Sequence, residues 1–258
     1  MKFPDTPNFS GFFTPSGVEA ELSHLQVIGG SMPLDLDGSF YRVAPDPQFQ
    51  PIAGHDIWFN GDGMITRFRF QNGEVSLRQR WARIDKFRME REAAARMTRW
   101  TVGMTSNSDP IRMTPLADMV GEFPRIDDRF AGRKNRYGWQ LAQDLTNPID
   151  LPDGTSGTGT MMNILGRINL ETGDCDQWWI GPVSSLQGPA FIPRPCSTQE
   201  GDGYLVMIEN RLTEMGSRLL LFDAMRMADG PVATTALPIR LPMGLHGNWA
   251  PAARAHQN

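Results

Sequence analysis

Two short stretches hold most of the residues whose types could do chemistry. The first is Gly244–Trp249, GLHGNW, where a single histidine stands between two glycines. An imidazole near neutral pH can act as a base or as a metal ligand. Glycines 244 and 247 would let ring and backbone enter a crowded position. The second is Gly121–Trp139, GEFPRIDDRFAGRKNRYGW, with Glu122, the neighbours Asp127 and Asp128, and Arg125 and Arg129 close by. Guanidinium forks can hold such carboxylates in bidentate pairs. Two carboxylates can also do acid–base work when their surroundings drive their pKa values apart, as in a β-rich hydrolase. Adjacent side chains on an extended segment point to opposite faces, so Asp127 and Asp128 are not expected to share a site. The stretch lacks the period of an amphipathic helix. It reads as irregular backbone held by side-chain hydrogen bonds, the kind of segment that carries sites on a rigid scaffold.

Other candidates are weaker. The chain has four histidines, at 24, 55, 246 and 256, and two cysteines, Cys175 and Cys196, without metal-type spacing. Residues 153–160, DGTSGTGT, lack the lysine of a phosphate loop and precede a strand, which argues against a nucleotide role. A net charge of −4 gives no general affinity for nucleic acid. The opening MKFPDTPNFSGFF carries two prolines and no apolar core, so it does not read as a secretory signal. No run approaches the ~18 apolar residues of a spanning helix. The expectation is a cytoplasmic protein with free thiols.

The positioning elements read as short strands. With 26 glycines and 20 prolines in 258 residues, turns are frequent. A strand is expected near Leu25–Ile28, broken by Gly29-Gly30, and another over Ser39–Val43. Met64, Thr66, Phe68 and Phe70 share one face of a period-2 segment, with Arg67 and Arg69 on the other. Asn72-Gly73 is a hairpin turn, and Val75, Leu77 and Trp81 line the returning strand. Lys86–Arg96, KFRMEREAAAR, is rich in helix formers and reads as a helix with a solvated face. Ile164–Leu170 and Asp176–Ile180 flank a turn at 171–174, and Tyr204–Ile208, Leu219–Phe222 and Val232–Leu237 are three more strands. Such spacing suggests an all-β sandwich, barrel or propeller.

EFPRIDDR, followed by AGR and RYGW, resembles the carotenoid cleavage oxygenase family, and most of all its lignostilbene dioxygenase-like branch. NFSGFFTP at 8–15, LDGSFYRVAPDPQF at 36–49, WFNGDGMITRFRF at 58–70, VSSLQGPAFIPRP at 183–195, EGDGYL at 200–205 and GLHGNW at 244–249 are similar to motifs of the same family, in family order. The resemblance implies a seven-bladed β-propeller with a non-haem Fe(II) on its axis. It also implies cleavage of a C=C bond in a phenolic stilbene or apocarotenoid to two carbonyl products. Residues 1–96 resemble the family's N-terminal part and 97–258 its C-terminal part. The motifs expected between Arg96 and Met97 are missing, so the chain reads as a single, partial propeller with a large internal deletion.

By the same resemblance, His246 matches the last of four histidine ligands, and the other three have no counterpart. Glu122 matches a carboxylate that orients a ligand imidazole. A second such glutamate is replaced by Gly188. Trp58 and Phe59 could line an apolar substrate cavity, though core packing is the more ordinary use of adjacent aromatics. The shortened chain is therefore expected to be inactive, the alternative being a non-catalytic remnant that binds an apolar ligand or a partner. Residues 36–96 and 200–249 should still pack together. Uncovered blade edges should favour self-association.

Overall fold

The computed structural model describes residues 3–51, 57–93, 121–149 and 161–252. In chain order the strands are β1 (Ala20–Leu22), β2 (Val27–Gly30), β3 (Gly38–Pro45), β4 (Gly63–Gln71) and β5 (Glu74–Trp81). Helix α1 (Asp85–Ala93) follows, then β6 (Gly121–Arg125), β7 (Tyr137–Ala142), β8 (Ile164–Asn169) and β9 (Cys175–Trp179). The last are β10 (Ser184–Leu186), β11 (Ala190–Pro193), β12 (Gly203–Arg211), β13 (Gly216–Asp223), β14 (Ala233–Leu237) and β15 (Gly247–Pro251).

These strands form three antiparallel sheets. The first runs β1-β5-β4-β3-β15, the second β10-β12-β13-β14-β2 with β11 also on β12, and the third β6-β7-β8-β9. They stack in that order as the blades of a partial propeller, and the sheets do not close a ring. The middle sheet is buried on both faces, which is why its strands are nearly continuous apolar runs. Tyr204, Val206 and Ile208 meet Phe40, Phe68 and Leu77 of the first sheet, while Leu205 and Met207 meet Trp139, Leu141 and Leu165 of the third.

The two ends of the chain are joined twice. C-terminal β15 completes the first sheet against β3, and N-terminal β2 completes the second against β14. The described parts of segments 36–96 and 200–249 therefore do pack together. The 64–81 hairpin also forms as expected: Met64, Thr66, Phe68 and Phe70 are buried, and Asn72 and Gly73 both take left-handed backbone.

Three local readings are corrected. Gly29 and Gly30 do not break β2 but close it, because a glycine at 30, with φ of 65°, can lie against the Val232 carbonyl where a Cβ would overlap it. The 121–139 stretch is not irregular throughout; its ends are β6 and β7, paired across a bulge between Glu122 and Arg125. The helix face over 85–93 is not wholly solvated: Glu90 is buried and pairs with Lys86 at 2.8 Å, and Lys86 also reaches buried Asp62 at 3.0 Å. Residues 94–96 of the expected helix and the 153–160 loop lie outside the described residues.

Phe68 sits in the layer shared by both ends of the chain. Phe68→Ala should cost about 3–5 kcal/mol in chemical denaturation, because a large buried ring leaves a cavity that rigid strands do not fill.

Candidate functional site

The inner edges of the three sheets meet around the residues that sequence motifs single out. From the third sheet comes β6, from the second the link between β10 and β11, and from the first the start of β15. Phe123 in β6 is buried at a φ of 58°, a backbone conformation rare for an aromatic residue. That twist turns its ring onto His246, edge to face at 5.2 Å between centroids. The Phe123 ring also borders Gly188, whose missing side chain lets the Leu245 carbonyl settle against it.

One guanidinium ties these edges together. Arg125 donates from Nε to the Pro189 carbonyl at 3.1 Å, from Nη2 to the Gly247 carbonyl at 2.6 Å and from Nη1 to Asn248 Oδ1 at 3.0 Å. Its own strand belongs to the third sheet, and its acceptors belong to the other two. Arg42, buried in β3, donates through Nη2 to Gln187 Oε1 at 2.5 Å and to the Pro242 carbonyl at 2.7 Å. Gly244 leaves the space that this guanidinium fills. Burial pulls Arg42 down to about 9, with the Asp46 charge opposing, so it stays charged at neutral pH. Asp46 is itself raised by burial, against hydrogen bonds from Ser16 and Gly17.

His246 is exposed on one side and stands opposite Val43, whose amide donates to its carbonyl at 3.3 Å. Val43 in turn pairs with Ile65, and both are exposed on the sheet face turned away from the core. Glu122 is exposed, next to Phe123 in sequence. Thus His246, Gly188 and the segment of Glu122 are gathered at one place. The cluster that holds Trp58 packs against Leu245, the neighbour of His246. Trp58 is buried between Phe13 at 5.1 Å and Phe59 at 4.2 Å, in a cluster with Met161, Leu212 and Met243, and Phe59 is exposed.

Asp127 and Asp128 separate as expected, but at the start of a 3-10 turn rather than on an extended segment: Asp127 caps the turn and Asp128 begins it. Asp127 is fully buried and accepts from Arg129 and from the Gly201 amide at 3.2 Å. Asp128 is exposed, 3.6 Å from Arg125. His24 is exposed and lies 3.0 Å from Glu74. His55 and His256 lie outside the described residues. Sequence reasoning missed Arg42, Phe123 and Gln187; Arg42 and Gln187 gain their place by meeting across sheets, and Phe123 by the bulge within its own.

The family profile described as retinal pigment epithelial membrane protein matches residues 13–96 and again 91–251. The chain belongs to this family. The match falls in two pieces that meet at 91–96, where the motifs step from early to late. Lignostilbene-alpha,beta-dioxygenase isozyme III of Sphingomonas paucimobilis is 41% identical over 157 residues, which is 60% of this chain and 32% of that protein. Isoeugenol monooxygenase of Pseudomonas nitroreducens is 41% identical over 160 residues, 62% of this chain and 33% of that protein. The chain spans about a third of the length of these curated relatives. Among solved structures, lignostilbene dioxygenase of Pseudomonas brassicacearum superposes with a TM-score of 0.87 at 22% identity, covering 98% of this chain and 100% of that chain. A Synechocystis apocarotenoid oxygenase mutant gives 0.75 at 13% identity, covering 97% of this chain and 100% of that chain. At those identities the superpositions establish the fold.

The described residues around His246 do not suit the Fe(II) that the motifs imply. Among the described residues no three histidine, cysteine, aspartate or glutamate side chains converge. His246 is one imidazole where four are expected. Its neighbours are a phenyl ring, a backbone carbonyl on a glycine and a guanidinium on the next carbonyl along the chain. The positive charges of Arg125 and Arg42 oppose a further cation at this edge.

Arg125→Ala should cost about 1–3 kcal/mol in urea denaturation, because two half-buried carbonyls lose a charged donor at once. Arg125→Lys should rescue little, since an ammonium cannot fork to all three.

Proposed function

We propose that this chain is a shortened form of an oxygenase that cleaves the C=C bond of a phenolic stilbene or apocarotenoid, and that it does not itself carry out the reaction. The substrate class rests on the relatives named for lignostilbene and isoeugenol, the inactivity on the lone imidazole at the inner edge. In such an enzyme Fe(II) would supply the oxygen chemistry. Here His246 would be its single protein ligand, and a solvated one-imidazole site holds Fe(II) poorly against water.

The chain should retain well under one iron after loading with Fe(II) and anaerobic desalting. It should release no aldehyde from lignostilbene. Near-equimolar iron, lost in His246→Ala, would overturn this reading.

What remains is a scaffold with an open blade face, a non-catalytic remnant suited to an apolar ligand or a partner. Val43 and Ile65 form an exposed cross-strand pair beside exposed Tyr41. Strand β9 ends the third sheet with Trp179 exposed. Unpaired edges and uncovered aliphatic faces drive association. Light scattering should therefore show a mass that rises with concentration, and Val43→Glu with Ile65→Glu should lower it; a constant monomer mass would refute the idea.

A further inference from the structure

We infer that the inner edge is a packing seam closed by backbone, so that no side-chain replacement at 188 can give His246 back an orienting carboxylate. The inference rests on the reading of the shortened chain above. A Cβ built on Gly188 would overlap the carbonyl oxygen of Leu245 and press on the Phe123 ring. Neither obstacle can swing aside cheaply. The Leu245 carbonyl belongs to the turn that leads into β15, and Arg125 pins the next residues through Gly247 and Asn248. Phe123 is fixed by its left-handed backbone and by packing against the middle sheet.

The seam repeats at two further glycines. At Gly244 a Cβ would overlap the Arg42 guanidinium, and at Gly247 it would overlap the Phe40 ring. Gly188, Gly244 and Gly247 thus mark three contacts at which a carbonyl, a guanidinium and a ring take the volume a side chain would need. In this seam His246 is a flat ring stacked edge to face on Phe123. Such contacts contribute through shape and ring polarity and need no metal. The room that a side chain at 188 would need to reach His246 is taken by the Leu245 carbonyl and the Phe123 ring, although His246 itself is open to solvent.

The test reads stability without iron and metal binding with Co(II) alone. Gly188→Ala should lower Tm by at least about 5 °C. Gly216→Ala, at a glycine with nothing within 4 Å of the added Cβ, should change it by about 1 °C or less. Gly188→Glu should be less stable than Gly188→Ala and show no Co(II) absorption in the visible. His246→Phe should keep the parent Tm, while His246→Ala should lower it. Gly188→Ala as stable as the parent would overturn the seam, as would equimolar Co(II) bound by Gly188→Glu and lost on removing His246. If the unaltered chain retained iron but Gly188→Ala still lowered Tm, the inactive reading would fail and the seam would stand.

Discussion

Three sheets share one guanidinium. Arg125 leaves β6 and reaches the backbone of Pro189 and Gly247 and the side chain of Asn248, so a single residue satisfies acceptors on both other sheets. Two of these acceptors are half-buried backbone carbonyls, which need donors. A planar fork with fixed angles also sets how the three edges lie relative to one another. The ring contact of Phe123 and His246, and the press of Leu245 on Gly188, both lie within the frame it sets.

This constraint explains how a family member spanning a third of its relatives' length keeps part of the fold. The middle sheet has a blade on each side and buries both faces. The first and third sheets each lean on it by one face. Stability is thus concentrated in the centre of the stack, while the inner edge is held by polar and steric contacts. Among the described residues, the imidazole at that edge is His246.

Much of the fold was legible in the sequence. The alternation of Met64, Thr66, Phe68 and Phe70 and the Asn72-Gly73 turn fix a hairpin by local chemistry alone, and the motifs name the propeller. The separation of Asp127 from Asp128 was expected, although a 3-10 turn capped by Asp127 brings it about. The site was legible only in part. Motif order brings His246, Gly188 and the segment of Glu122 to attention, and the fold does gather them. No local signal marks Phe123 for a positive φ, because that conformation is imposed by the bulge against β7. Nor does Arg42 declare itself: an arginine in an alternating strand reads as a solvated residue until the opposite sheet supplies Gln187. The burial of Glu90 was hidden for the same reason, since its neighbours Lys86 and Asp62 come together only when α1 docks.

The double joining of the chain ends bears on the order in which the molecule is made. Strand β3 waits for β15, and β2 waits for β14, across most of the chain's length. During synthesis the first hairpin leaves the ribosome early, with an unpaired inner strand and an apolar face that belong to segments not yet translated. Contacts of such long sequence separation slow folding, because loop closure must come before they form. Until β14 and β15 emerge, β2 and β3 lack these partners and their edges stay open.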